Sequence, residues 1–393
     1  MKPSGYKQKN SALYWPLLLL LGLAFGCSNS SSDATQASRT LYVPTTYPTI
    51  QSAIDSAHDD DIIIVENGIY YENLSISNKR ITLASNYYQT GNERDINTTV
   101  IDGNRTTVIN VDASSAGTSV IGLTIQHGDD GLSPSAKINI LNNFIKNNVD
   151  GIDYEGGGGI CRNNIIRNNS DDAIDLDGST EVTIEGNDLS DNADDGIEIR
   201  LHPYTGRTLL IDIRNNRITG NGEDGIQLIG YNTTTDRKFT IHRNLLAKNA
   251  KAAIGLMGSK NTVEDYSGAP LKEEIAITNN TFSDNNYGIT GGANTLVVNN
   301  IFRSTAHSAV KNILDDALID NNLFWDNGTN LVNSNADADK IVFDPLLDTD
   351  YAPLPESPAI DKGKETIYWK DKNVTLTDAY HGISPDLGFM EYE

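Results

Sequence analysis

Sulfur chemistry is nearly absent from this sequence: 393 residues contain two cysteines, Cys27 and Cys161. Cys27 ends an apolar leader, so the body keeps one thiol. One thiol forms no internal disulfide and no metal-thiolate cluster. Cations are scarce as well. Thirty Lys and Arg face 53 Asp and Glu, a net charge of −23 that becomes −26 once three leader lysines are removed. That balance argues against nucleic acid, whose phosphates it would repel. It also opposes an anionic glycan unless bound cations bridge the two. No segment points to a protein partner.

The one long apolar run is Leu17 to Phe25, preceded by Lys2, Lys7 and Lys9. It is short for a membrane span and has the pattern of an export signal. Its end, Leu23-Ala24-Phe25-Gly26-Cys27, resembles a bacterial lipobox, with Ala24 where Leu is usual. The resemblance implies a lipid on Cys27; an ordinary secretory signal is the alternative. Ser28 in place of Asp resembles outer-membrane sorting, at the periplasmic face or the cell surface. Residues 28–40, SNSSSDATQASRT, suit a flexible tether. The expected organisation is leader 1–26, tether 27–40, solenoid 41–343 and C-terminal cap 344–393.

The rest is a repeat. NFIKNNVDGID, NIIRNNSDDAID, NDLSDNADDGIE and NRITGNGEDGIQ share one template, and degenerate copies follow. Its first Asn recurs at 143, 164, 187, 216, 244, 280, 300 and 322. Short alternating apolar runs separated by Asn, Gly and Asp turns predict an all-β, right-handed parallel β-helix. The Asn column reads as structural, each side chain bonding the next turn. One helical pattern stands out, YPTIQSAIDSA (47–57): Ile50, Ala53, Ile54 and Ala57 share a face, Pro48 suits the first turn, and the helix should plug the open core. TIQSAIDSA followed by IIIVENGIYYENLSI resembles the entrance of pectin-lyase-like β-helix proteins, and DPLLDTDYAPLPESPAIDKG with PDLGFMEYE resembles the tail of secreted members. The superfold hosts lyases, hydrolases, epimerases and non-enzymes, so activity must come from the site.

Acids fall in columns when the coils are aligned on Ile152, Ile174, Ile197, Ile226 and Ile254, with Leu132 one coil earlier. Alternation sends Ile174 and Leu176 inward, and Asp175 and Asp177 outward. Asp153 and Glu155, then Glu198 and Arg200, should follow the same rule. The expectation is an exposed grid of acids with one arginine, flanked by turn pairs Asp171–Asp172 and Asp194–Asp195. Two unit charges about 5 Å apart repel by roughly 1 kcal/mol in water and roughly 3 at an effective dielectric of 20. Three escapes exist: a cation, raised proton affinity, or side chains splayed into water. Six to eight oxygen ligands suit Ca²⁺, with Asp150, Asp153, Asp171, Asp172, Asp175, Asp194 and Asp195 as candidate ligands.

Insertions at corresponding points, LHPYTGR (201–207), YNTTTDRK (231–238) and GSKNTVEDYSGAPLKEE (258–274), should wall a groove. They carry His202, Tyr204, Arg207, Tyr231, Arg237 and Lys238, side chains suited to an anionic or neutral polysaccharide. Asp171-Asp172-Ala173-Ile174-Asp175 resembles the DDxxD calcium motif of one group of pectate lyases. That resemblance implies Ca²⁺-assisted β-elimination of a uronic-acid glycan. Its basic Lys is missing, since Gln227 stands at the matching place; Arg200 and Lys251 are geometric substitutes, and Glu198 a further ligand or acid. NVDGID and DDAID resemble polygalacturonase motifs, implying hydrolysis by Asp150, Asp171 and Asp172, but Gly-His-Gly and Arg-x-Lys are absent. A non-catalytic glycan-binding or structural module is the third reading.

Overall fold

The computed structural model describes residues 37–392 apart from 232, 234, 259–261, 377 and 378. The leader, Cys27 and most of the tether lie outside the described residues.

Each coil contributes three short strands. One coil runs Lys137–Leu141, Phe144–Lys146 and Asp150–Glu155. Strands of successive coils pair in parallel, giving stacked sheets of twelve, eleven and eleven strands. This is the right-handed parallel β-helix expected. Leu132, Ile152, Ile174, Ile197, Ile226, Ile254 and Ile289 pair in register along one line. All are fully buried. On another wall, Phe282, Phe302 and Phe324 stack at 4.7 and 5.1 Å between ring centroids.

Sharp turns between the strands need a residue at positive φ. Asn142, Asn163, Gly186, Asn215 and Asn279 take it with φ of 53–65°, which Gly and Asn do at least cost. The residue after each is the ladder asparagine. Asn143, Asn164, Asn187, Asn216, Asn244, Asn280, Asn300 and Asn322 are buried. Each Oδ1 from Asn164 onward accepts the backbone N–H of the ladder asparagine one coil earlier, at 2.8–3.0 Å. Asp337 ends the series, taking the Asn322 amide at 3.1 Å. A second ladder at the next turn joins Asn148, Asn169, Asn192, Asn221, Asn249 and Asn285.

The entrance helix spans Ile50–Ser56 and buries Ile50, Ala53 and Ile54. Thr49 is its N-cap and forms a capping box with Ser52. Pro48 therefore precedes the cap instead of entering the first turn. The C-terminal segment does more than close the end. It runs back along earlier coils: Gly388 N–H donates to Asn299 O at 2.9 Å, Phe389 N–H to Thr281 Oγ1 at 3.2 Å, and Arg243 pairs with Glu391.

Asn216→Ala would strand the amide of Asn187 and the carbonyl of Ile184, both bonded at 2.9 Å. It should cost about 3 kcal/mol or more, against about 0.5 kcal/mol for the exposed Asn97→Ala. Urea unfolding followed by circular dichroism measures both.

Candidate functional site

The strand Ile174–Asp177 buries Ile174 and Leu176 in the core. Asp175 and Asp177 therefore face outward. Pairing sets Asp153 beside Asp175, Asp175 beside Glu198, Glu198 beside Gln227, and Gln227 beside Gly255. Glu155 pairs with Asp177. The file exists, but it is not the exposed grid expected. Asp175 is 8% exposed, Glu198 4% and Gln227 0%. Arg200 reaches across the file, pairing with Glu198 and lying 3.8 Å from Asp175 and 3.9 Å from Asp177. Beyond Gln227 the column shrinks to Gly255 before continuing to Thr290 and Lys311, and a side chain at Gly255 would collide with Asp224 and Glu264. Glu264, 5% exposed, comes from the third insertion. Sequence reasoning missed it because it belongs to no repeat.

The turn acids also depart from expectation, because the two members of each pair do different work. The second member faces a backbone amide. Asp150 Oδ1 accepts Asp172 N–H at 3.0 Å, Asp172 Oδ1 accepts Asp195 N–H at 2.8 Å, Asp195 Oδ1 accepts Asp224 N–H at 2.6 Å, and Asp224 Oδ1 accepts Ala252 N–H at 2.6 Å. This is a carboxyl ladder beside the amide ladders. The first members, Asp171, Asp194 and Glu223, form an outer column ended by Lys251, which pairs with Glu223.

Carboxyls crowded this way hold their protons. Burial pushes Asp153 up to about 7, with Asp130 and Glu155 adding to it. Burial pushes Asp175 up to about 8, against the opposing pull of Arg200. Asp150 and Asp194 rise to about 7, again chiefly through burial. Asp172, Asp195 and Asp224, almost wholly enclosed, are raised as well, again chiefly through burial. Burial works against the charge on Arg200, but Asp175, Glu198 and Asp177 outweigh it and hold the guanidinium protonated more firmly than usual.

The insertions place the other candidates. His202 Nδ1 lies 3.5 Å from Asp177 Oδ1, and Tyr231 Oη lies 3.1 Å from His202 Nε2. Both are beside the acid file. Tyr231 also lines a cavity of about 400 Å³ with Leu201, Gly230, Pro270 and Leu271. Tyr204 sits under the Arg237 guanidinium at 5.7 Å. The three cations expected to line the groove are engaged elsewhere. Arg207 grips Glu181 through two bonds of 2.6 Å, and Lys238 pairs with Glu274 at 2.6 Å, both on the twelve-stranded sheet. Arg237 is buried and donates to His202 O at 2.9 Å and Gly178 O at 2.5 Å, a positioning role.

The donors fit a hard divalent cation. Asp172, Asp175 and Glu198 offer oxygens within 4.8 Å of one another, as do Asp171, Asp172 and Asp194, and Asp194, Asp195 and Glu223. Asp153 Oδ1 and Asp175 Oδ1 are buried without a hydrogen bond. An all-oxygen set of this kind suits Ca²⁺.

Fold and site together define a right-handed parallel β-helix with a file of buried acids on one sheet. A family model described as "Right handed beta helix region" matches residues 100–267. Pectate lyase Pel9A is similar in structure, with a TM-score of 0.62 at 14% identity over 91% of this chain and 97% of that one. So is the catalytic unit of a GH87 alpha-1,3-glucanase from Streptomyces thermodiastaticus, at 0.52 and 16% identity over 81% and 72%. At these identities the likeness is one of fold. No curated protein matches the chain in sequence.

Each raised carboxyl keeps its proton to higher pH in the folded chain than in the unfolded one, where it ionises near about 4. Stability from Asp150, Asp153, Asp175 and Asp194 is therefore full at low pH and is lost as pH rises from about 4 to about 8. Without divalent cations the melting temperature should fall across that window, and millimolar Ca²⁺ should restore it at the upper end. Asp175→Asn should flatten the fall and weaken the Ca²⁺ response; calorimetry with and without EDTA reads both.

Proposed function

We propose that this protein is a polysaccharide-cleaving enzyme that acts on a uronic-acid-containing glycan by Ca²⁺-dependent β-elimination. One observation carries the reading: a single guanidinium, Arg200, lies among Asp175, Asp177 and Glu198 beside buried carboxyl oxygens that lack partners. A fixed positive charge next to a cluster that demands a cation suits a substrate bearing its own carboxylate. A chain of net charge −23 has otherwise little means of attracting one. The pectate lyase and glucanase similarities accord with an elongated glycan lying along the stacked coils.

Asp172, Asp175 and Glu198 would hold the Ca²⁺, with Asp153 at the margin. When bound, the ion supplies Lewis-acid polarisation of the uronate carboxylate, making the adjacent C–H more acidic. Arg200 orients the same carboxylate through charge-assisted hydrogen bonds. It does not serve as the base considered from sequence, because three carboxylates strengthen its hold on its proton. Lys251 is committed to Glu223 and is an equally poor base. Asp153, the member of the file outside the ion's three ligands, accepts the carbon-bound hydrogen in its ionised form. Hydrolysis is the second reading; it is favoured by Asp153 and Asp175 holding protons near neutrality, as a general acid must. The export leader and a lipid on Cys27 would tether the enzyme at the outer membrane, where polymeric glycan is met.

Purified protein should release ultraviolet-absorbing unsaturated ends from pectate, alginate or another uronan, and EGTA should stop the reaction. Arg200→Ala should lower kcat/KM by about 100-fold or more. Reducing ends formed without that absorbance would replace elimination with hydrolysis, and glycan retardation in a native gel without cleavage would leave only binding.

A further inference from the structure

Arg200 pairs with Ile229 across adjacent coils, so the residues two further on leave the sheet at matching positions. These are His202 and Tyr231. Their rings lie 4.8 Å apart, tilted by 48°, with Tyr231 Oη 3.1 Å from His202 Nε2. The imidazole is held from its other side. Gly178 N–H donates to Nδ1 at 3.3 Å, and Asp177 Oδ1 stands 3.5 Å away. The buried Arg237 guanidinium fixes the backbone beneath by holding the carbonyls of both His202 and Gly178. An Nδ1 that accepts from an amide leaves the neutral ring's proton on Nε2, pointing at the tyrosine oxygen.

Tyr231 stands between two environments. On one side are Arg200, Asp175, Asp177 and Glu198, whose charges it feels. On the other is the 400 Å³ cavity walled by Leu201, Pro270 and Leu271, with Lys272 and Glu273 also lining it. A glycan whose uronate is held at Arg200 would present its neighbouring sugar to that cavity, and the bond between them to the tyrosine.

We propose that Tyr231 is the general acid of glycan cleavage and that His202 is its positioning residue. This rests on the glycan-cleaving reading above. As the glycosidic C–O bond breaks, its electron pair goes to the oxygen, and the Tyr231 hydroxyl proton joins that oxygen. The phenolate left behind is held by a hydrogen bond from His202 Nε2–H and regains its one proton from water. The hydrogen lost from carbon goes to a carboxylate of the acid file, so charge and protons balance. Protonating the departing oxygen is equally required if water attacks instead, so the role survives a change from elimination to hydrolysis. Burial first, and then the three carboxylates, raise the affinity of Tyr231 for its proton against the pull of Arg200, which keeps it in the donor form at neutral pH.

The test compares wild type, Tyr231→Phe and His202→Gln on whichever uronan the wild type cleaves, across pH. Tyr231→Phe should lower kcat by about 100-fold or more with KM within about twofold, and it should abolish the loss of activity above about pH 10. His202→Gln should keep that alkaline limb but shift it upward, because the phenolate has lost its strongest donor. Circular dichroism checks that both variants fold; if Tyr231→Phe does not, an unshifted limb in His202→Gln overturns the proposal. It is equally overturned if Tyr231→Phe stays within about threefold of wild type with its alkaline limb intact. Should the wild type cleave no uronan at all, the functional reading falls, and this assignment falls with it.

Discussion

A hydrogen bond from one coil to the next, made by a buried side chain to a backbone amide, is the constraint on which this molecule depends. Parallel sheets fix the spacing of the coils but tolerate slippage. A buried amide or carboxyl that must meet one particular N–H does not, because a shift of one residue would leave both groups unpaired in the interior. Two asparagine ladders run along successive turns, and Asp150, Asp172, Asp195 and Asp224 make a third. The register that results also sets what the outer face presents.

The acid file follows from that constraint. Once Ile152, Ile174 and Ile197 are stacked, Asp153, Asp175 and Glu198 have no choice but to stand side by side. Their mutual repulsion is carried by the rigidity of the ladder beneath. The cost appears as protons held too tightly, as a lone arginine clasped by three acids, and as carboxyl oxygens without partners. Strain of this sort is what a ligand can relieve, which is the physical ground for reading the acid file as functional.

Much of this was legible in the residues. The Asn-Asn and Gly-Asn pairs encode a left-handed turn residue followed by a ladder amide, and they recur at a fixed offset. The aligned isoleucines gave the register that the strands adopt. The rest depends on features that do not repeat. Nothing in Asp171-Asp172 says which acid turns toward the backbone; the turn geometry decides it. Glu264 arrives from an insertion, as does the burial of Arg237, and a basic residue in a loop reads the same whether it binds substrate or a carbonyl. The return of the C-terminal segment to Thr281 and Asn299 leaves no periodic trace either.

The most direct measurement is an anomalous-difference map from crystals soaked in a lanthanide that mimics Ca²⁺, together with a uronate oligosaccharide. This account places the ion among Asp172, Asp175 and Glu198, with a sugar carboxylate against Arg200. A map with the ion on another wall, or with the cluster empty while the oligosaccharide lies elsewhere, would contradict it.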